Sequence, residues 1–186
     1  MDRAHWRERL QGIASTYWET GAWNSRFAGR QQAYLLQALL TTAMLGAVLA
    51  VEDVLTNAAV TAAIASTAFV LIMTPRSVVA SPRHVIGGHL IAVMVGGLIS
   101  LLFASSALDS SAGDTRLLID TSAALSVGIG IVLMGLTNTE HPPAAGTALG
   151  MVLGGFSWVV VIVLMSSVLV MTIVQRLMLP YLKDLV

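Results

Sequence analysis

The chain has 186 residues, of which 56% are apolar and only 11% charged, and its formal net charge is zero. A soluble domain is nearer a quarter charged, and a chain this short has too little interior to hide so much apolar surface from water. The composition therefore excludes a sizeable soluble domain and makes the lipid bilayer the principal partner. It offers no basic face for nucleic acid, and the absence of Cys removes thiolate metal sites and cysteine nucleophiles.

Residues 1–32 read as an N-terminal cytoplasmic or interfacial segment, and residues 33–186 as one transmembrane domain. Arg3, Arg7, Arg9, Arg26 and Arg30 are mixed with Asp2, Glu8 and Glu19, without the apolar stretch of a cleavable signal. Trp6, Tyr17, Trp18, Trp23 and Phe27 fit a segment lying at headgroup level, and equally a solvated tail with a few aromatics.

Five apolar segments follow: Ala33–Val51, Val54–Met73, His84–Ala104, Leu117–Leu136 and Ala144–Met178. The first four have about the 20 residues needed to span a hydrocarbon core of ~30 Å. The fifth would be roughly 52 Å long as one helix at ~1.5 Å per residue. Gly154, Gly155, Phe156 and Ser157 offer a break, leaving a short helix Ala144–Leu153 and a full span Trp158–Met178; a single long, kinked helix is the alternative. The predicted fold is an all-α, polytopic transmembrane bundle of five to six helical elements.

Five Arg residues in the N-terminal segment and two in the Thr74–Arg83 connection face only Arg116 on the opposite side, if segments alternate. An even number of crossings adds Arg176 and Lys183 to the basic side. The bias predicts a cytoplasmic N-terminus, and the compartment expected is the bacterial inner membrane. The expected reading is six elements, the fifth short.

Small residues are dense in the later segments. Gly146, Gly150 and Gly154 share a helix face, and Gly87–Gly88, Gly96–Gly97, Gly128 and Gly130 add others; such faces let backbones pack closely. A weak helix–turn–helix echo links Val70-Leu71-Ile72-Met73 and Val95-Gly96-Gly97 to Ile131-Val132-Leu133-Met134 and Leu153-Gly154-Gly155, as two parallel repeats would.

Two connections carry the candidate chemistry. In Thr137-Asn138-Thr139-Glu140-His141-Pro142-Pro143 the prolines end one helix and start another. The small residues that follow, Ala144 to Thr147, would leave amides open to an anion at a positive helix end. In Thr74–His84, Ser81 reads as an N-cap before Pro82, with Arg83 and His84 in the first turn. The competing reading is that both are capped turns whose arginines are topology signals.

Inside the spans, Gln37 and Asn57 read as interhelical hydrogen-bond partners. His89 either lines a substrate path or is satisfied by a neighbouring backbone, and Asp120 is either interfacial or a buried proton carrier that pairs with Arg116. The candidate substrate-binding set is Arg76, Ser81, Arg83, His84, His89, Thr139, His141, Gly146 and Thr147, with Asp120 and Glu140 as candidate proton-coupling carboxyls.

The run His141-Pro142-Pro143-Ala144-Ala145-Gly146-Thr147-Ala148-Leu149 resembles the HPP family of integral membrane proteins. Ser81-Pro82-Arg83-His84-Val85-Ile86-Gly87-Gly88-His89 is similar to that family's other block, in the same order and at a matching separation. The resemblance covers roughly Tyr34 to Val174. It implies about four membrane spans and, from similar plant and cyanobacterial members, nitrite transport. The chain departs from the family pattern at His84, where Asn is common, and at Glu140, where a neutral residue is usual.

The function expected is transport of a small inorganic anion, nitrite being what the resemblance implies, by a non-enzymic homo-oligomer without cofactors. The alternatives are a membrane-embedded metal enzyme using His84, His89, Glu140 and His141, and a scaffold subunit. No H-E-x-x-H or repeated His box supports the enzyme, so no metal site is assigned.

Overall fold

A computed structural model describes residues 29–51, 57–108 and 112–185. The predicted N-terminal segment lies outside the described residues as far as residue 28. Among the described residues six α-helices follow one another: α1 (Gln31–Val51), α2 (Ala58–Met73), α3 (Pro82–Leu108), α4 (Ala112–Thr137), α5 (Ala144–Leu153) and α6 (Trp158–Met178), with a 3-10 turn at Val78–Ala80 before α3. Helices α3, α4 and α6 are long and apolar enough to cross a membrane. The expected all-α membrane bundle, with a short fifth element, is the fold found.

Boundaries follow local chemistry more than hydropathy. Helix α2 starts at Ala58, where Asn57 caps it: its Oδ1 accepts from the amides of Ala59 and Val60; residues 54–56 of the predicted apolar segment lie outside the described residues. Asn138 ends α4 in the left-handed conformation (φ 52°), which Asn tolerates, and the Thr139 amide closes back on the Met134 carbonyl. Gly155 does the same after α5 with φ 75°, so the long fifth segment is broken where its glycine pair stands.

The ten-residue α5 is the centre of the bundle. It packs against α2, α3 and α4, while α6 lies against α2 and α3, and α1 against α2. At ~1.5 Å per residue, α5 is only about half as long as a ~30 Å hydrocarbon core. Its glycine face lies on α2: a Cβ on Gly150 would come within 2.7 Å of Val60, and one on Gly146 within 3.1 Å of Ala63. On the other side, Gly96 of α3 would place a Cβ 2.6 Å from the Ala148 carbonyl. Missing side chains on α5 towards α2, and on α3 towards α5, thus let a short helix sit between them. Among the described residues a Cβ on Gly128 of α4 would meet nothing within 4 Å, and one on Gly130 only the Met134 Cε, at 3.9 Å.

Two apolar clusters fill the interior. One joins α1, α2 and α6 through Met44, Ile64, Leu71, Leu164, Val168 and Met171. The other joins α3, α4 and α5 through Ile91, Val95, Ala123, Met134, Ala148 and Val152. The outside carries exposed Leu98, Leu101, Leu117, Ile131, Leu136 and Ile162, as a lipid-facing surface does.

One end of the bundle gathers both described ends of the chain. Arg30 donates to the Asp184 carbonyl (3.0 Å) and Tyr34 to that of Leu185 (2.5 Å). The Leu185 amide returns to the Met73 carbonyl at 3.0 Å. The described chain therefore passes along the bundle an even number of times, with α5 and the non-helical residues 154–157 together making the fifth pass. The 74–81 and 138–143 connections lie at this same end, which also carries Arg30, Arg76, Arg83, Arg176 and Lys183.

Candidate functional site

The two proline-containing connections meet. His141 Nδ1 donates to the Val79 carbonyl at 2.8 Å, and Arg83 donates to the Thr137 carbonyl at 3.0 Å. Glycines make the approach feasible: a Cβ on Gly88 would stand 2.7 Å from the His141 Cβ and 2.9 Å from the Thr139 carbonyl oxygen. Thr139, buried, packs its methyl over Gly87 and pairs its hydroxyl with Thr137 at 2.8 Å.

Beneath the junction lies a buried chain of imidazoles and hydroxyls. His89 Nδ1 is 2.9 Å from Thr147 Oγ1, and His89 Nε2 is 2.9 Å from Thr67 Oγ1. The same Thr67 oxygen is 3.2 Å from His141 Nε2 and 2.8 Å from the Ala63 carbonyl. The two rings are 5.2 Å apart, and all four residues are essentially inaccessible to solvent. Burial pushes the His141 imidazole down to about 4 from its ordinary 6.5; the Val79 carbonyl opposes that shift and the nearby His84 adds to it.

The space between the connections is filled by these side chains. The first amides of α5 are also taken: Ala144, Ala145 and Gly146 donate to the carbonyls of His141, Pro142 and Pro143 at 2.9–3.1 Å. The expectation of open amides at Ala144–Thr147 is therefore corrected. A tight 3-10 closure of the Pro-Pro turn satisfies them first. Gly146 faces α2, and Thr147 faces His89.

The remaining candidates sit around this core. Ser81 precedes α3 as expected, but its hydroxyl pairs with His84 Nδ1 at 2.8 Å, and His84 Nε2 lies 3.7 Å from the Glu140 carboxylate. His84 is buried and Glu140 exposed, so the unusual pair at these positions forms one contact. Arg76 is exposed and clasps the C-terminal segment, donating to the Leu182 and Leu179 carbonyls at 2.6 and 3.1 Å. Asp120 stands apart from all of these, exposed on α4 and 3.9 Å from Arg116. It is not a buried carboxyl.

Two cavities lie on either side of the packed layer. One of ≈ 400 Å³ opens at the connection end between the 75–81 turn and the end of α6, lined by Arg76, Ser77, Ser81, Gln175 and Arg176 among others. Gln175 donates to the Pro75 carbonyl at 2.8 Å, while its buried Oε1 has no partner. The other, ≈ 290 Å³, lies toward the opposite end beside Ser100, Phe103, Ser122 and Gly154. Among the described residues no three His, Cys, Asp or Glu side chains gather in metal-binding reach.

Sequence reasoning missed Thr67, the Val79 carbonyl, Gln175 and the cavity-facing place of Arg176. A threonine in an apolar helix usually bonds its own backbone, so nothing marked Thr67 as the contact between two histidines.

Residues 28–181 match the transmembrane region that defines the HPP family. The chain belongs to the HPP family. Its tripeptide His141-Pro142-Pro143 is thus the turn that places an imidazole on Thr67. Two transmembrane proteins of Dictyostelium discoideum are similar to this HPP protein. One is 30% identical over 113 residues, covering 58% of this chain and 36% of that protein. The other is 31% identical over 85 residues, covering 46% and 24%. The chain matches about a third of the length of the first and a quarter of the second. No solved structure matches it.

Proposed function

We propose that this HPP protein transports a small inorganic anion across the membrane, with nitrite the first candidate from the family resemblance. The observation that carries this reading is the cavity at the connection end, where Arg76 and Arg176 stand with the hydroxyls of Ser77 and Ser81. Guanidinium and hydroxyl groups around a small space suit a hydrated or partly desolvated anion. This relocates the anion from the start of α5, whose first amides are engaged, to the side of the 75–81 turn.

The second cavity, beyond the packed layer, supports an occluded arrangement in which passage needs α5 to shift. A helix of half-membrane length, held between glycine faces, is a reasonable moving part because its contacts are mostly backbone and small side chains. The proposal includes a cytoplasmic connection end, from the basic residues gathered there, in a bacterial inner membrane. It also includes a non-enzymic role and a homo-oligomer, which crosslinking in native membranes tests.

Uptake by proteoliposomes of nitrite, nitrate and chloride, with and without a pH gradient, tests the function. Flux should exceed that of protein-free liposomes for at least one anion. Arg176→Gln should lower its initial rate roughly tenfold, the loss expected when a charge-assisted contact of ~1.5 kcal/mol disappears, whereas Arg176→Lys should retain more. Arg176 is the better probe than Arg76, which also holds the C-terminal segment. Absence of flux for every anion, or equal flux in Arg176→Gln, overturns the reading.

A further inference from the structure

We propose that Thr147, His89, Thr67 and His141 form a hydrogen-bond chain that fixes the two histidines in opposite tautomers and binds a single proton at His141, with the Thr67 oxygen accepting from both rings when the proton arrives. The use of that proton to drive an anion rests on the transport reading; its binding does not.

The direction follows from counting donors. A carbonyl only accepts, so the 2.8 Å contact with Val79 fixes a proton on His141 Nδ1. In neutral His141 the Nε2 atom is then a bare acceptor, 3.2 Å from Thr67 Oγ1. Thr67 has one hydroxyl proton, and the Ala63 carbonyl at 2.8 Å and His141 Nε2 at 3.2 Å both call for it. Whichever receives it, the Thr67 oxygen is left to accept from His89 Nε2–H at 2.9 Å, which leaves His89 Nδ1 to accept from Thr147 at 2.9 Å. Donation from Thr67 to His89 instead would set both the Ala63 carbonyl and His141 Nε2 against a bare oxygen. The two histidines are thereby fixed in opposite tautomers.

One added proton fits without moving a heavy atom. It binds His141 Nε2, which becomes a donor to Thr67. The Thr67 hydroxyl then donates to the Ala63 carbonyl, 2.8 Å away, and its oxygen accepts from both rings. His89 stays neutral in its original tautomer, and a second proton on it would face a cation at a ring separation of 5.2 Å.

The surroundings leave one access side. Helices α2 and α5 and the Val78–Ala80 turn contain no ionisable side chain. Those facing His141 come from α3 and its own connection: His84, with Glu140 3.7 Å from it, His89, and Arg83 at the Thr137 carbonyl. Glu140 is exposed, so the proton comes from the connection end by way of the Glu140–His84 pair. This assigns proton handling to imidazoles rather than to Asp120, which lies on the outer face of α4.

Nitrogen-15 NMR of the full chain, labelled at histidine and held in nanodiscs, tests the chain directly. His89→Gln and His141→Gln spectra assign the rings. Near neutral pH, His141 should carry its proton on Nδ1 and His89 on Nε2. On acidification His141 should charge before His89, and the His89 resonances should shift with it. Thr67→Val, which keeps the shape and removes the hydroxyl, should abolish that linked shift, while Thr67→Ser should retain it. Like tautomers in the two rings, earlier charging of His89, or a linked shift that survives Thr67→Val overturns the proposal. If Thr67→Val fails to fold, the tautomers of the unaltered chain still decide. Lack of anion flux would leave these spectra unchanged, so the two readings fail separately.

Discussion

The side-chain amide of Asn57 holds two helices at once: its oxygen caps α2 at Ala59 and Val60, while its nitrogen donates to the Gly150 carbonyl of α5 at 2.6 Å. Removing it by Asn57→Ala deletes both functions, and loss of an N-cap alone costs about 0.5–2 kcal/mol. Thermal unfolding in detergent should show a Tm several degrees lower. Asn57→Asp retains the cap acceptor but sets a carboxylate oxygen against the Gly150 carbonyl, so it should lower Tm as well. If the aspartate variant matched the parent, the contact with α5 would be without consequence.

Glycines of similar sequence setting should respond in opposite ways. Gly96→Ala drives a methyl to within 2.6 Å of the Ala148 carbonyl and 2.8 Å of the Met151 Cβ. Both are held by α5, and overpacking of this kind costs about 1–3 kcal/mol. Gly128→Ala meets open space, and alanine in a helix interior is better than glycine by about 0.5–1 kcal/mol. Melting curves of the two variants should therefore move in opposite directions, and a common loss would argue that α4 packs on something outside the chain.

That contrast also shows what the sequence could convey. The break at Gly154–Ser157 and the short α5 were legible because a 35-residue apolar run cannot fit one bilayer crossing. The cap at Asn57 is not visible to hydropathy, which averages over it, whereas the helix begins where that side chain satisfies free amides. The meeting of the two proline connections was foreseeable from their shared end. Whether their amides stayed open was not, since Pro-Pro-Ala fits a 3-10 closure and an anion nest equally well. Thr67 was invisible because its role depends on α3 and the 138–143 connection arriving together.

Acid should destabilise the protein through His141. Its imidazole titrates near 4 in the folded chain and near 6.5 when unfolded. Between those values the unfolded state binds more protons, so stability rises with pH across that window and levels off above it. Lowering the pH from 7 to 5 should depress Tm in detergent, and His141→Gln should flatten that part of the profile while lowering Tm at pH 7. An unaltered slope in the variant would assign the acid sensitivity to another group.

A clasp closes the connection end of the bundle. Gln37, buried in α1, donates to the Ile72 and Lys183 carbonyls and accepts from the Lys183 amide at 3.4 Å. It therefore joins α1, the end of α2 and the C-terminal segment. Gln37→Leu keeps the bulk but leaves those backbone groups without partners, at a cost of about 1–3 kcal/mol for each buried group exposed to such a loss. The weakest of the three elements should yield first, and residues 179–185 contain no helix beyond the turn at Leu179–Tyr181. Amide exchange there should accelerate roughly tenfold or more, since 1.4 kcal/mol of local opening is one decade, with trypsin cutting faster at Lys183. Exchange within α3 and α5, which Gln37 does not touch, should stay as it was. Uniform acceleration throughout the bundle would mean that Gln37 supports global stability instead of fastening this one segment.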